Sequence, residues 1–195
     1  MNKKTIGMKK YNIGIDIGGS HIRLALVNGL NVIDFEEVYI LDENKKDQEK
    51  IIKYINTNVF KLYNKILNKN IISSLNILKI GVAFPGIYQD GIIYNANNLN
   101  IKRYKILKAF KKIFKNKEIE ISNDAEASLK AEMEKNLKNI QNGMFLSIGT
   151  GIGGKVIQDG KILNGSNLEL GHITFKLGGA KCSCGKKDVL KNIVL

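Results

Sequence analysis

Two glycine-rich segments of the sequence could bind a chain of phosphates. Asp16–Ser20 places a carboxylate ahead of two glycines, and Gly149–Gly154 has glycines at alternating positions. Bare backbone lets phosphate oxygens approach amide N–H groups, and the Asp16 carboxylate could hold Mg²⁺ through water. Each segment alone also suits a hairpin turn, but two of them after separate strands indicate two loops that grip one polyphosphate. The predicted binding positions are Asp16, Gly18, Gly19, Ser20, Gly149, Thr150, Gly151 and Gly153.

A carboxylate at Asp124 comes directly after an apolar strand and opens a predicted helix. The carboxyl ends of strands are where α/β sheets bind their ligands. A carboxylate in that place could act as a general base, taking the proton from a hydroxyl group as it attacks a γ-phosphate. The alternative is a helix N-cap, formed by Asp124 or Asn123, with no catalytic role.

Polar residues follow the sharp stop that Pro85 and Gly86 put on another apolar strand. Among them, the amide of Asn98 can both donate and accept hydrogen bonds, which suits vicinal hydroxyl groups. By itself, this segment would equally be a loop with many polar residues.

A histidine and two cysteines late in the chain suit zinc: His172, Cys182 and Cys184. The cysteines are one residue apart, and disulfide geometry is hard to meet across so short a loop, so metal binding is favoured. Reduced thiols suit a cytoplasmic location, which is therefore expected. A closed structural zinc site has four ligands. With three clear ligands, this site is open, completed by Asp188, or broken.

The elements that must position these residues alternate between strands and helices. Apolar runs and alternating patterns predict strands, and apolar residues at helical spacing predict helices. Three early strands, then alternating helices and strands, indicate an α/β domain with a mixed sheet. The predicted strands are 12–16, 22–27, 32–39, 77–84, 119–122, 143–148 and 153–158, and the predicted helices are 47–67, 104–114 and 125–137.

The chain of 195 residues has ordinary hydrophobic and charged contents but a formal net charge of +13. Such a charge attracts phosphate-rich partners. The basic residues are scattered, however, and the densest run, Lys102–Lys117, is typical of the solvated face of a helix, so no nucleic-acid partner is expected. No run approaches the roughly 20 apolar residues that span a bilayer, and the N-terminus does not resemble a signal peptide, so no membrane association is expected.

In this order the motifs resemble those of the ROK family of sugar kinases and related repressors, from about Tyr11 to Gly185. The resemblance implies an α/β, actin-like and ribonuclease-H-like ATPase fold with two lobes around a cleft. The implied divisions are an N-terminal extension at 1–10, a complete N-terminal lobe at 11–135, and the start of an incomplete C-terminal lobe at 136–195.

The resemblance also implies a reaction. ATP and Mg²⁺ would serve to transfer the γ-phosphoryl group to a hydroxyl of a glucose-like hexose or an N-acylhexosamine, with Asp124 as the general base. The family binds zinc next to the sugar site. Dimers are common in it, so a homodimer is possible, although the sequence does not give the oligomeric state. The sugar would be held by Asn98, Asn123, Glu169 and His172, and the zinc by His172, Cys182 and Cys184.

Three interpretations of this set of motifs compete. A kinase is favoured over a repressor because only 15 residues precede Asp16, too few for a helix-turn-helix module. A non-catalytic sugar-binding or regulatory ROK protein is the alternative. Another phosphotransferase of the actin-like superfamily, such as an acetate kinase, is the third, and the histidine with two cysteines after Glu169 favours the ROK family over it.

The sequence departs from the family pattern in the zinc loop. Val189 stands where the family has a third cysteine, and Lys191 stands where it has a sugar-binding glutamate. Deletion of one base would explain both changes and the end at Leu195, since a restored frame can encode the missing cysteine and glutamate. We therefore expect a chain truncated in its second lobe, with an incomplete zinc site, weak stability and little or no kinase activity.

Overall fold

The structure of the chain is a computed structural model that describes residues 9–148, 152–163, 173–174, 178–179, 181 and 185–190. The chain divides into two compact units, Met1–Asp124 and Ala125–Leu195. The strands of the described residues are β1 Tyr11–Ile17, β2 His21–Asn28, β3 Asn31–Tyr39, β4 Ile77–Phe84, β5 Ile87–Gln89, β6 Ile92–Ala96, β7 Ile101–Tyr104, β8 Glu118–Asn123, β9 Gly143–Ile148, β10 Ile152–Gln158 and β11 Lys161–Ile162. The α-helices are α1 Gln48–Lys69, α2 Ile106–Ile113 and α3 Asp124–Lys135. The predicted lobe boundary, after residue 135, falls at the far end of α3 and stays a prediction.

Five strands of the first unit form one mixed sheet in the order β3-β2-β1-β4-β8. Strands β1, β2 and β3 are antiparallel neighbours, whereas β4 runs parallel to both β1 and β8. The alternation of apolar residues buries one face of this sheet. In β1, for example, Ile13, Ile15 and Ile17 are at most 3% exposed. The mixed α/β sheet that the sequence predicts is therefore present.

Helix α1 packs its apolar stripe into the same core as this sheet. Asp47 caps the helix, because its carboxylate accepts a 2.8 Å hydrogen bond from the N–H of Lys50. Tyr63 meets Phe114 edge to face, with ring centroids 5.0 Å apart, which joins α1 to the residue after α2. The buried residues of α1 are Ile51, Ile55, Val59, Leu62, Tyr63, Ile66 and Leu67. Neither α1 nor any other helix in the described ranges is long and apolar enough to cross a membrane.

A second antiparallel sheet, with the order β5-β6-β7, follows β4. Most of this segment was predicted to be a polar loop. The predicted start of the next helix was too early, since Tyr104 ends β7 and α2 begins at Ile106. Tyr104 is held in the strand because its ring packs on Phe84, with centroids 5.9 Å apart, and its hydroxyl donates a 2.6 Å hydrogen bond to Asn56 Oδ1.

In the second unit, the strands pair antiparallel in the order β11-β10-β9. Strand β10 packs against the first turn of α3, since a Cβ on Gly153 would lie 3.4 Å from the Cβ of Ala125. Lys155 of the same strand is buried, and its Nζ lies 3.8 Å from Glu126 Oε2. The residues that follow the second glycine-rich turn are thus attached to the start of α3.

Candidate functional site

The register of the large sheet aligns the carboxyl ends of three parallel strands. Asp16 of β1 lies opposite Ala83 of β4, and Ala83 in turn lies opposite Ser122 of β8. Asn123 is the next residue of β8, and Asp124 follows it at the start of α3. The structure therefore brings Asp16, Asn123 and Asp124 to one edge of the sheet, where α/β proteins bind their ligands.

Asp16 lies in an environment that disfavours its negative charge. Its side chain is about half exposed, at 49%, and partial burial raises its pKa above the usual value. Arg23, whose Nη1 lies 3.7 Å from Oδ2 of Asp16, lowers this pKa in part, and the charge of Asp124 raises it. Two carboxylates that repel each other at a sheet edge are suited to share a divalent cation, which favours hard oxygen ligands.

We expect the variant Asp16→Asn to melt at a higher temperature than the wild type at pH 7, with a gain of less than about 1 kcal/mol for so exposed a group. Folding raises the pKa of Asp16 above its usual value of 3.8. As the pH rises, the unfolded chain therefore releases this proton before the folded chain does. Ionisation of Asp16 therefore lowers the free energy of unfolding as the pH rises. Thermal melts between pH 4 and pH 8 measure this, and the gain should shrink towards pH 4.

The matched control for this prediction is Asp34→Asn, which should behave in the opposite way. Hydrogen bonds from Lys69 and Asn70 hold the pKa of Asp34 below its usual value. Ionised Asp34 therefore stabilises the folded chain, and Asp34→Asn should lower the melting temperature at pH 7. A lower melting temperature for Asp16→Asn across the whole range would contradict our account of Asp16.

The first glycine-rich loop, Asp16–Ser20, is a tight turn between β1 and β2. The N–H of Gly18 donates a 2.9 Å hydrogen bond to the carbonyl of His21, and the carbonyl of Ser20 accepts a 2.8 Å bond from the N–H of Ile40. Gly18 was predicted to offer its N–H to a phosphate, but in this structure that N–H closes the turn. Backbone contacts from this loop to a ligand would come from Gly19 and Ser20.

Gly19 brings this loop against Asn98, the predicted sugar ligand. A Cβ on Gly19 would lie 3.3 Å from the Cβ of Asn98, so a larger residue would crowd the asparagine. Asn98 is exposed and belongs to a 3-10 turn, Asn97–Leu99. The side chain of Asn100 donates a 3.0 Å hydrogen bond to the carbonyl of Lys45, which fixes that turn. The first glycine-rich loop and Asn98 are therefore neighbours within the first unit.

Gly86 ties the predicted proline-glycine turn to Asn123. Its φ is +94°, and a Cβ there would lie only 2.6 Å from the carbonyl oxygen of Tyr94, so this position requires glycine. The carbonyl of Gly86 accepts a 3.0 Å hydrogen bond from Nδ2 of Asn123. The amide nitrogen of Asn123, another predicted sugar ligand, thus holds the turn. This one hydrogen bond links the turn to the end of β8 at the sheet edge, directly before α3 begins.

Several predicted residues lie outside the described part of the chain. Of the second glycine-rich loop, only the part that belongs to β10 is described, and there Gly153 packs on Ala125. Asp188, considered as a fourth zinc ligand, is buried, and its carboxylate accepts a hydrogen bond from the N–H of Gly179. The predicted residues that lie outside the described ranges are Gly149, Thr150, Gly151, Glu169, His172, Cys182 and Cys184.

Two charged contacts near the predicted residues were not expected from the sequence: Arg23 with Asp16 in the first unit, and Lys155 with Glu126 in the second. Arg23 also bonds Glu37, with Nε 3.1 Å from Oε2, and so reaches Asp16 from a fixed position. The hairpin turn at 18–20 was a usable signal, because it sets the antiparallel register that pairs Arg23 with Asp16. Lys155 and Glu126 belong to elements that are far apart in sequence, so no local sequence pattern predicts their pairing.

The chain matches the sequence profile of the ROK family over residues 12–194. The chain belongs to the ROK family. It is 31% identical to a glucokinase of Halalkalibacterium halodurans over 192 residues, which cover 94% of this chain and 56% of that glucokinase. It is 30% identical to a xylose repressor of Caldicellulosiruptor bescii over 186 residues, covering 92% of this chain and 45% of the repressor.

The crystal structure of a ROK family glucokinase from Streptomyces griseus, in complex with glucose and AMPPNP, has the same fold. The TM-score is 0.73 at 21% identity, and the match covers 93% of this chain and 56% of the glucokinase. The five-stranded mixed sheet of this ROK chain is accordingly part of an actin-like ATPase fold. The chain spans about half the length of these two curated relatives.

Proposed function

We propose that this ROK protein phosphorylates a hexose with ATP, and that Asp124 is the general base of the reaction. The observation that carries the proposal is the convergence of Asp16, Asn123 and Asp124 on one edge of the sheet, with Asn98 beside the first glycine-rich loop. Similarity to a glucokinase supports a sugar as the acceptor. Glucose is the first sugar to test.

Asp16 is the residue that would hold Mg²⁺ bound to ATP. Partial burial and the negative charge of Asp124 both disfavour ionised Asp16, and a cation bound at this carboxylate would offset both. Bound Mg²⁺ neutralises charge on the transferred phosphoryl group. Gly19 and Ser20 would offer backbone N–H groups to the phosphates, together with the second glycine-rich loop around Gly151.

Asp124 would accept the proton of the attacking sugar hydroxyl. The backbone directly before it is held in place, because Nδ2 of Asn123 donates a hydrogen bond to the carbonyl of Gly86. A base contributes only when it is held within hydrogen-bond reach of the proton that it takes. The sugar would be oriented by Asn98, Asn123, Glu169 and His172, with zinc at His172, Cys182 and Cys184 supporting that histidine.

A regulatory protein that binds the sugar without turnover is the second candidate. Similarity to the xylose repressor of Caldicellulosiruptor bescii, at 30% identity, is the specific observation in its favour. The two candidates share the sugar site and differ in phosphoryl transfer. Sugar binding alone therefore does not separate them, and an assay must follow the phosphate.

The test follows ADP release with glucose, mannose, fructose and N-acetylmannosamine. It compares the 195-residue chain with a fusion that adds the remainder of the Halalkalibacterium halodurans glucokinase after the matched segment. We expect the fusion to phosphorylate at least one sugar, and the chain alone to show little turnover, because kinases of this kind close two lobes over the substrates. A folded fusion that binds glucose but transfers no phosphate to any sugar would favour the regulatory candidate.

A further inference from the structure

The segment from Gly91 to Lys117 contains no acidic residue. Within it, seven exposed cations lie on β7, on α2 and on the residues that flank this helix. We call them the α2 basic face: Lys102, Arg103, Lys105, Lys108, Lys111, Lys112 and Lys115. The sequence predicts a solvated helix face here, and the structure places all seven of these side chains at exposed positions.

The cations of the α2 basic face lack carboxylate partners within the described part of the chain. Lysines elsewhere in the first unit are paired: Lys65 lies 2.6 Å from Glu36, and Lys69 lies 2.8 Å from Asp34. The nearest acid after the segment, Glu118, is paired with Lys79 at 2.8 Å. Among the described residues, the α2 basic face therefore carries seven positive charges that form no ion pair with a carboxylate. One exposed acid lies close to it: Asp90, next to Gly91, whose carbonyl accepts a 3.2 Å hydrogen bond from the N–H of Leu107.

The opposite side of α2 is locked into the core. Ile106 and Phe110 are fully buried, and Phe114 is 2% exposed. Lys105, Lys108 and Lys112 follow one another at spacings of three and four, which places them in a row on one face of the helix. That row is about 10 Å long at the rise of an α-helix. A rigid helix thus presents a line of charges whose spacing is comparable to that of successive backbone phosphates.

We propose that the α2 basic face binds the phosphate backbone of duplex nucleic acid without reading its sequence. Charge complementarity is the basis, since lysines that neutralise phosphates release the counterions of the duplex. This activity is separate from phosphoryl transfer and does not depend on the proposed function.

Two other polyanionic partners fit the surface less well. A membrane surface would be expected to take up apolar side chains beside the cations, but the large apolar side chains of this segment are buried or half-buried. A single strand would need aromatic platforms for its bases. The nearest ring, Tyr94, is covered by Arg103, whose guanidinium carbon lies 5.9 Å from the ring centroid.

The test measures fluorescence anisotropy of a labelled DNA duplex of about 20 base pairs, at salt concentrations from about 50 to about 200 mM. The variant carries Lys108→Gln, Lys111→Gln and Lys112→Gln, which keep the side chains long and polar. We expect this triple variant to bind about tenfold more weakly or worse at the lowest salt, and its salt slope to fall by about three.

The matched control carries Lys61→Gln, Lys138→Gln and Lys161→Gln, which remove the same charge from exposed positions outside the α2 basic face. Its affinity should change by less than about threefold, because the proposal gives these lysines no contact with the phosphates. Equal weakening by both triple variants would overturn the proposal, since binding would then follow net charge alone. Failure of the wild-type chain to bind the duplex at the lowest salt would overturn it as well. A third result would also overturn it: the chain binds phosphatidylserine vesicles through Lys108, Lys111 and Lys112 but does not bind the duplex.

Discussion

Replacement of Asp124 by asparagine in the glucokinase fusion is expected to lower kcat by a factor of about 100 to 10,000, the usual contribution of a general base. Asparagine keeps the size and polarity of the side chain but cannot take a proton. The affinity for glucose should stay nearly constant, because the proposed role of Asp124 is exercised in the transition state rather than in substrate binding. Steady-state kinetics of ADP release, with glucose binding measured by calorimetry, checks both expectations.

Glu134→Gln is the control for Asp124→Asn, since Glu134 is an exposed acid on the same helix. It should leave kcat within about a factor of two, as expected for a surface change. The melting temperature of Asp124→Asn should also stay close to the wild type, because asparagine serves as well as aspartate at a helix start. A loss of stability in place of a loss of kcat would mean that Asp124 is only a structural residue.

Gly86→Ala should lower the free energy of unfolding of the first unit by about 3 kcal/mol or more. A residue with a Cβ in this left-handed conformation costs about 1 to 3 kcal/mol, and a steric clash adds to that cost. The clash is with backbone, because the new Cβ would lie 2.6 Å from the carbonyl oxygen of Tyr94 and 3.0 Å from the N of Ala96. Neither atom can move without distorting β6. Urea denaturation should show the change as a lower midpoint.

Gly14→Ala is the control for Gly86→Ala. Gly14 lies on β1, and no described atom outside its immediate neighbours lies within 4 Å of a Cβ built there. Its substitution should therefore have little effect on the midpoint. Equal midpoints for Gly86→Ala and the wild type would contradict the conformation that we describe for this turn, and with it the contact to Asn123.

Local sequence patterns predicted the long elements well. Strand β4, Ile77–Phe84, was bounded correctly because Pro85 and Gly86 terminate an apolar run. Helix α1 was found from its apolar spacing, and it begins directly after Asp47. Short strands β5, β6 and β7 were not found, since strands of three to five residues are defined by pairing with one another rather than by local composition.

The candidate site shows the same contrast between features that local sequence patterns reveal and contacts between separate segments, which they do not reveal. Asp16, Asn123 and Asp124 were identified because each lies where an apolar strand ends, which a sequence reveals. The contact of Asn123 with Gly86 and the crowding of Gly19 by Asn98 depend on how separate segments meet, which the sequence alone does not reveal. The charge of the α2 basic face was visible in the sequence, but its lack of carboxylate partners among the described residues was not.

The anchoring of the Asn97–Leu99 turn has a thermodynamic consequence. Gly19 packs on one side of it, and Asn100 bonds Lys45 on another. Farther along, Gln48 Oε1 accepts a 2.7 Å bond from the N–H of Lys102. A turn already fixed in one conformation loses little conformational entropy when a ligand arrives. At the proposed sugar site, the backbone that carries Asn98 would therefore adjust little to a bound sugar. Discrimination between epimers would then depend on which hydroxyls the Asn98 side chain can reach from that backbone.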